Sequence, residues 1–125
     1  MSADATPVHG EYYPQNVLVQ GDTVRPIDWE TAAVGAGEID IAALTERWPT
    51  DTALLCRRAY AQARWPGGES ADWRRRLGLA GLYLHFRWIA SAAWRDKPEL
   101  WRLREVRSLS AELGFTPGLN VAPRA

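Results

Sequence analysis

The residues of this chain with the most to offer chemically are crowded between positions 9 and 30: His9, Glu11 and Asn16, then Asp28 and Glu30. Glu11 sets a carboxylate in a glycine-containing loop directly after His9-Gly10, and Asn16 adds an amide oxygen further along the same loop. Asp28 closes an extended run and is followed by Trp29 and Glu30. Two carboxylates and an amide oxygen that converge make a hard, oxygen-rich site. Mg2+ takes such sites and completes its shell with substrate phosphates and water. On residue types alone the same pattern also suits an ordinary acidic loop, so the elements that position these groups decide its meaning.

Those elements read as follows. Residues 1–8 are small, polar and proline-containing, and form a loose lead-in. Val17–Gln20 is a short apolar run, Gly21-Asp22 signals a turn, and Thr23–Ile27 is extended, which together predict a β-hairpin. Pro26 makes its second strand an edge or ends it early. The hairpin returns Asp28 towards Asn16 and Glu11. Val34–Gly37 reads as a loop, and Glu38–Trp48 as a short helix closed by Pro49.

The remainder is helical. A helix over 51–65 takes Thr50 as N-cap and ends at Pro66-Gly67-Gly68. Ser70 caps the next, which runs to about residue 95. Trp73, Leu77, Leu84 and Trp88 fall on one face of it, and Leu79, Leu82, Phe86 and Ile89 on the other. A helix so apolar all round belongs at the centre. Asp96-Lys97-Pro98-Glu99 forms a capping box before a last helix with Leu100, Leu103, Val106, Leu109 and Leu113 as its stripe and Gly114 as its C-cap. The fold class is therefore mainly α with a small β-hairpin.

Composition narrows the function classes. The net charge is zero, yet residues 1–56 hold nine acidic side chains against two arginines, and residues 57–125 hold six against thirteen basic ones. The acidic part carries the candidate cation site, while the basic part suits a solvated face, phosphate or an anionic acceptor. Arg74-Arg75-Arg76 comes without a nucleic-acid-binding motif, so nucleic acid is not an expected partner. The lone Cys56 rules out an intramolecular disulfide framework and reads as a core thiol. No signal peptide is legible, and His85 and Arg87 interrupt the most apolar segment. The expected compartment is the cytoplasm, with no membrane span. His85 itself reads as a hydrogen-bonded core histidine, and Trp29 as packing. Tyr12 and Tyr13 serve either an acceptor pocket or packing.

The order of the motifs carries a resemblance. The run His9-Gly10-Glu11-Tyr12-Tyr13-Pro14-Gln15-Asn16-Val17-Leu18-Val19 resembles the catalytic loop of the aminoglycoside phosphotransferase and choline-kinase-like families, in which HGD is followed by four residues, an asparagine and an apolar strand. Ile27-Asp28-Trp29-Glu30, followed by Ala33, Gly35 and Asp40-Ile41-Ala42, is similar to their metal-binding segment and the helix after it. The likeness is close over residues 8–45 and extends to 113 only in helical character. It implies the C-terminal lobe of a protein-kinase-like fold over residues 9–113. Residues 9–48 would carry the catalytic loop, metal-binding hairpin and short helix, residues 49–113 a helical subdomain, and 114–125 a tail.

The activity implied is ATP-dependent phosphoryl transfer to a small-molecule hydroxyl, which rests on positioning and charge neutralisation. Asn16 and Asp28 would hold Mg2+ on the ATP phosphates. Glu11 would act on the acceptor hydroxyl as base, and His9 and Asp40 would brace the loop.

Two departures qualify that implication. Glu11 stands where the family commonly has aspartate, and an added methylene displaces the carboxylate by roughly 1 Å, enough to cost about a hundredfold in rate. A shifted loop or a differently placed acceptor offsets this in one reading; in the other the base is weakened or lost. Second, only eight residues precede His9, and the single lysine, Lys97, lies deep in the helical part. The expectation is a C-lobe without the N-lobe that covers the nucleotide, with little or no turnover alone. An N-lobe chain or self-association is the expected partner. The alternative is a non-catalytic, pseudokinase-like module that binds a ligand or partner. The arginine-rich helical part favours a neutral or anionic alcohol as acceptor over a polycation.

Overall fold

A computed structural model describes residues 5–92 and 100–115. The chain begins with β1 (Ala5–Val8), which pairs antiparallel with a strand far along the sequence, β4 (Ala33–Ala36), in the register Ala5 opposite Ala36 and Val8 opposite Ala33. This corrects two expectations: residues 5–8 are not a loose lead-in, and Val34–Gly37 is not simply a loop. Each strand is four residues long and their partner lies across the whole loop and hairpin, so no local pattern announces either. Together they close residues 9–32 into a loop with its two ends joined.

Inside that closed segment lies the expected hairpin, β2 (Val17–Gln20) and β3 (Thr23–Pro26), with Val17 opposite Pro26 and Gln20 opposite Thr23. Gly21 makes the turn at a φ of 56°, which glycine adopts without cost. The second strand ends at Pro26, one residue short of expectation, and proline fits there because position 26 lies opposite Val17 at a pair that exchanges no ladder bonds. One further bond, Ile27 N–H to the Asn16 carbonyl at 2.9 Å, extends the pairing beyond the strand. Single 3-10 turns, Pro14–Asn16 and Trp29–Thr31, lead into the hairpin and out of it.

Four helices follow. The first, α1 (Glu38–Leu44), stops before the expected Trp48, because the Thr45 hydroxyl folds back onto the Ile41 carbonyl and Arg47 takes a φ of 60°. In α2 (Thr50–Arg64), Thr50 is the first helical residue, Pro49 stands at the cap position, and no side chain caps the end. The chain then turns from Ser70 to Trp73, and α3 (Trp73–Ala92) starts there rather than at Ser70. The last, α4 (Leu100–Glu112), ends at Gly114 with a φ of 78°, where the N–H of Phe115 bonds to the Ser110 carbonyl. The capping box at Asp96–Glu99 lies outside the described residues.

As expected, α3 is central and packs against both α1 and α4. The core joins Tyr13 of the first loop to Ala42 and Ala43 of α1 and to Ala80 and Leu84 of α3, with Ile39, Leu77 and Trp88 packed around them. Gly78 and Gly81 let α4 approach closely, since a methyl group on either would come within 3.1–3.2 Å of Leu113 or Leu109. The apolar surface of α3 is not buried all round: Leu79, Tyr83 and Phe86 are exposed, as are Leu100 and Leu103 of α4. Among the described residues no helix is long and apolar enough to cross a membrane.

Candidate functional site

The loop from His9 to Asn16 is built around one carboxylate and one imidazole. Asp40, in the first turn of α1, accepts the backbone N–H groups of His9 at 2.7 Å and Gly10 at 2.9 Å. A carboxylate with two fixed donors makes charge-assisted bonds, so the loop is anchored to the helix at two successive residues. His9 is almost fully buried, and its Nε2 lies 2.8 Å from the Ile27 carbonyl. A carbonyl oxygen only accepts, so Nε2 carries the proton and Nδ1 is left to accept the Glu11 N–H at 3.3 Å. Both ring nitrogens are thus engaged in holding the loop against the end of the hairpin, which leaves neither for proton transfer.

Two neighbours complete the brace. The Thr31 hydroxyl donates to the His9 carbonyl at 3.0 Å, and the Trp29 indole lies 4.7 Å from the imidazole, tilted by 52°. Gly10 has a φ of 86°, and a β-carbon there would fall 2.6 Å from the Thr31 carbonyl oxygen. Only glycine fits that position.

Glu11 and Asn16 are joined directly. The Glu11 carbonyl accepts the Tyr13 N–H at 2.8 Å and the Asn16 side-chain amide at 2.9 Å. With its nitrogen committed, Asn16 presents the oxygen of the amide as its remaining arm. The hairpin register sets Ile27 across from Asn16, so Asp28 comes next at the open end. Asp28 is exposed, makes no side-chain bond to the 3-10 turn it precedes, and holds φ 62° and ψ 65°. A left-handed backbone at a non-glycine residue costs on the order of 1 kcal/mol, least for aspartate and asparagine. Glu30 is exposed on the same turn. His9, Glu11, Asn16 and Asp40 therefore share one hydrogen-bonded web, tied to Ile27, the residue before Asp28.

Among the described residues no group of three or more His, Cys, Asp or Glu side chains could hold a metal ion. Asn16 and Asp28 offer instead one amide and one carboxylate oxygen. Mg2+ bound mainly through phosphates and water takes donors of these types from a protein.

Sequence reasoning missed the residue closest to the Glu11 carboxylate. Arg87, on α3, donates from Nη2 to Glu11 Oε1 at 2.6 Å and from Nη1 to the Gly10 carbonyl at 3.2 Å. The next residue, Trp88, donates its indole N–H to the Tyr13 hydroxyl. An arginine inside the apolar stretch that begins at Leu77 was the available signal. The buried Tyr13 has its phenol pushed up from the ordinary value, chiefly by burial.

Beside the loop opens a cavity of about 510 Å³ whose walls include Tyr13, Gln15, Trp48 and Trp88, with Glu46 and Arg102 among them. Arg102 is buried, pairs with Glu46 at 2.6 and 3.4 Å, and points Nη1 at His85 Nδ1 3.3 Å away. Burial chiefly lowers the His85 pKa, and a neutral ring is what an arginine donor facing Nδ1 requires. A larger cavity of about 660 Å³ opens among the helices and shares Glu46 and Trp48 with the first. Of the triple arginine, Arg74 and Arg75 are exposed, whereas Arg76 reaches the buried Glu38 at 3.0 Å.

A model of the phosphotransferase enzyme family matches residues 2–79 of the chain, which therefore belongs to that family. No curated protein and no solved structure matches it.

Proposed function

For this member of the phosphotransferase enzyme family, we propose ATP-dependent phosphoryl transfer to a small-molecule hydroxyl, with residues 9–113 forming the C-terminal lobe of a kinase-like fold. The reading rests on one observation above the others: the web that ties Glu11 to Asn16 through a single carbonyl, and Asn16 to the segment bearing Asp28. Phosphoryl transfer demands positioning more than covalent chemistry, and this loop is fastened at nearly every residue.

In the proposed reaction Asn16 and Asp28 hold Mg2+. The ion, when bound, neutralises charge on the ATP phosphates. The acceptor hydroxyl gives its proton to Glu11, its oxygen bonds to the γ-phosphorus, and the bond to the ADP oxygen breaks. His9 and Asp40 hold the loop and exchange no proton with the reactants. The cavity between Tyr13, Trp48 and Trp88 would take the acceptor, with Glu46 and Arg102 supplying polar contacts. Its mixed charge suits a neutral or anionic alcohol better than a polycation. The proposed compartment is the cytoplasm, with neither nucleic acid nor membrane as a partner.

A second reading, a non-catalytic pseudokinase-like binding module, is favoured by the arginine that occupies one oxygen of Glu11. Calorimetric titration with Mg2+ and ATP tests the first reading. Weak binding that requires Mg2+ and is lost in Asn16→Ala and Asp28→Ala is expected, with little or no turnover from these 125 residues. Binding that ignores Mg2+, or survives both substitutions, would contradict the proposed site. Robust turnover would contradict the expectation of little or no activity.

A further inference from the structure

Every backbone atom of Glu11 that can hydrogen-bond is fixed: its N–H by His9, its carbonyl by Tyr13 and Asn16. The side chain beyond that anchor has several rotatable bonds, and a carboxylate free to swing is a poor base because its oxygen is seldom where the proton is. Arg87 removes that freedom. Its two terminal amino groups bind different targets, the Glu11 carboxylate at 2.6 Å and the Gly10 carbonyl at 3.2 Å, so the guanidinium plane is set by the loop it holds.

The arginine is itself well placed to impose geometry. Arg87 and Glu11 side chains are 29% and 24% exposed, shielded enough for the pair to hold and open enough for a reactant to arrive. Arg87 projects from the central helix, three positions beyond Leu84 of the core, and its neighbour Trp88 fastens Tyr13 of the same loop. A charged side chain at this point of an apolar helix is poorly explained by solvation, since it turns towards the loop and not away from it.

We infer that Arg87 is the positioning residue of the Glu11 carboxylate, fixing Oε1 so that Oε2 is left to receive the acceptor's proton. The inference rests on the proposed role of Glu11 as base. It also explains the length of that side chain: an aspartate, shorter by one methylene, would fall short of the guanidinium. Aspartate here would thus be a loss in this chain.

The test uses the whole chain with labelled arginine and glutamate, followed by magnetic resonance. In the native sequence Glu11 should occupy one rotamer, and the Arg87 guanidinium protons should exchange slowly with water. Glu11→Asp should speed that exchange about tenfold, the effect of losing one charge-assisted bond. Arg87→Met should average the Glu11 rotamers while leaving the affinity for Mg2+ and ATP within about twofold, because Asn16 and Asp28 are untouched. Arg87→Lys should fail to restore the single rotamer, since one ammonium cannot span both acceptors.

Averaged Glu11 rotamers in the native chain, a single rotamer in Arg87→Met, or unchanged exchange in Glu11→Asp would each overturn the inference. Should Arg87→Met lose its folded amide spectrum, the exchange rate in Glu11→Asp decides alone. A native chain with an ordered Glu11 that binds no Mg2+ and ATP would support the Arg87 contact and defeat the phosphotransferase reading instead.

Discussion

Between residues 5 and 40 the chain is fastened by directional bonds to single atoms: Asp40 on His9 and Gly10, His9 on Ile27 and Glu11, Thr31 on His9. Where α3 packs on α1 and α4 the main fastening is contact between apolar faces, with charged groups such as Glu46, Arg102 and His85 set among them. Directional bonds fix positions but bury little surface, and much of the hairpin is exposed, Val19 and Val24 included. Apolar contact supplies stability without bonds to single atoms, and it leaves Tyr83 and Phe86 of α3 uncovered. The two regions divide the work that the proposed phosphoryl-transfer site would need: one holds atoms in place and the other holds the fold together. Arg87 and Trp88 are where they meet.

The largest effect should come from the exception in the helical part. Glu46→Gln removes a charged partner of the buried Arg102 and should cost about 3 kcal/mol of unfolding free energy. Replacing both, Glu46→Leu with Arg102→Met, should come close to neutral, because the desolvation penalty goes with the charges. Urea titration of the single and double variants checks this. A double variant as unstable as the single one would show that the cluster does more than fill the core, and would blur the contrast between the regions.

Asp40→Asn comes next. The amide keeps one acceptor but turns a donor towards a backbone N–H, and should cost about 2–3 kcal/mol. The expected mark is selective: hydrogen exchange should accelerate most at His9 and Gly10 and least in α3. Uniform acceleration would mean that the loop is not a separately fastened unit.

A smaller effect is expected from pH. The His85 pKa lies below the ordinary 6.5 in the folded chain, so on acidification the unfolded chain takes up its proton first. Stability should therefore be complete above about 6.5 and decline as pH falls below it. Groups around the ring act in both directions, Glu46 and Glu105 raising the value and Arg102 lowering it, with burial the larger cause. His85→Gln should flatten that slope in thermal melts. A slope that persists in the variant would assign it to other groups.

How much of this was legible follows the same division. The hairpin and the order His9, Glu11, Asn16, Asp28 could be read because turns and loops write their geometry into neighbouring residues: Gly21, Pro26 and the glycine at position 10 are local statements. The strands at 5–8 and 33–36 were not legible, because four residues of weak pattern gain their pairing from a partner across the loop. The end of α1 was missed for a similar reason, since Thr45 and Arg47 look helical until the hydroxyl turns back on Ile41. Leu79 and Phe86 have the spacing of core residues, and spacing does not say whether a neighbour exists to cover them. Arg87 was visible only as an interruption, and its contact with a residue so far along the chain belongs to the fold.

The central claim is that Asn16 and Asp28 receive a divalent cation together with a nucleotide. Paramagnetic broadening by Mn2+, used in place of Mg2+ and recorded with and without ATP, tests it most directly. The account predicts broadening centred on Asn16 and Asp28 that deepens when ATP is present and disappears in Asp28→Ala. Broadening centred on the helices, at Glu105 and Glu112 for example, or equal in the native chain and Asp28→Ala, would contradict it.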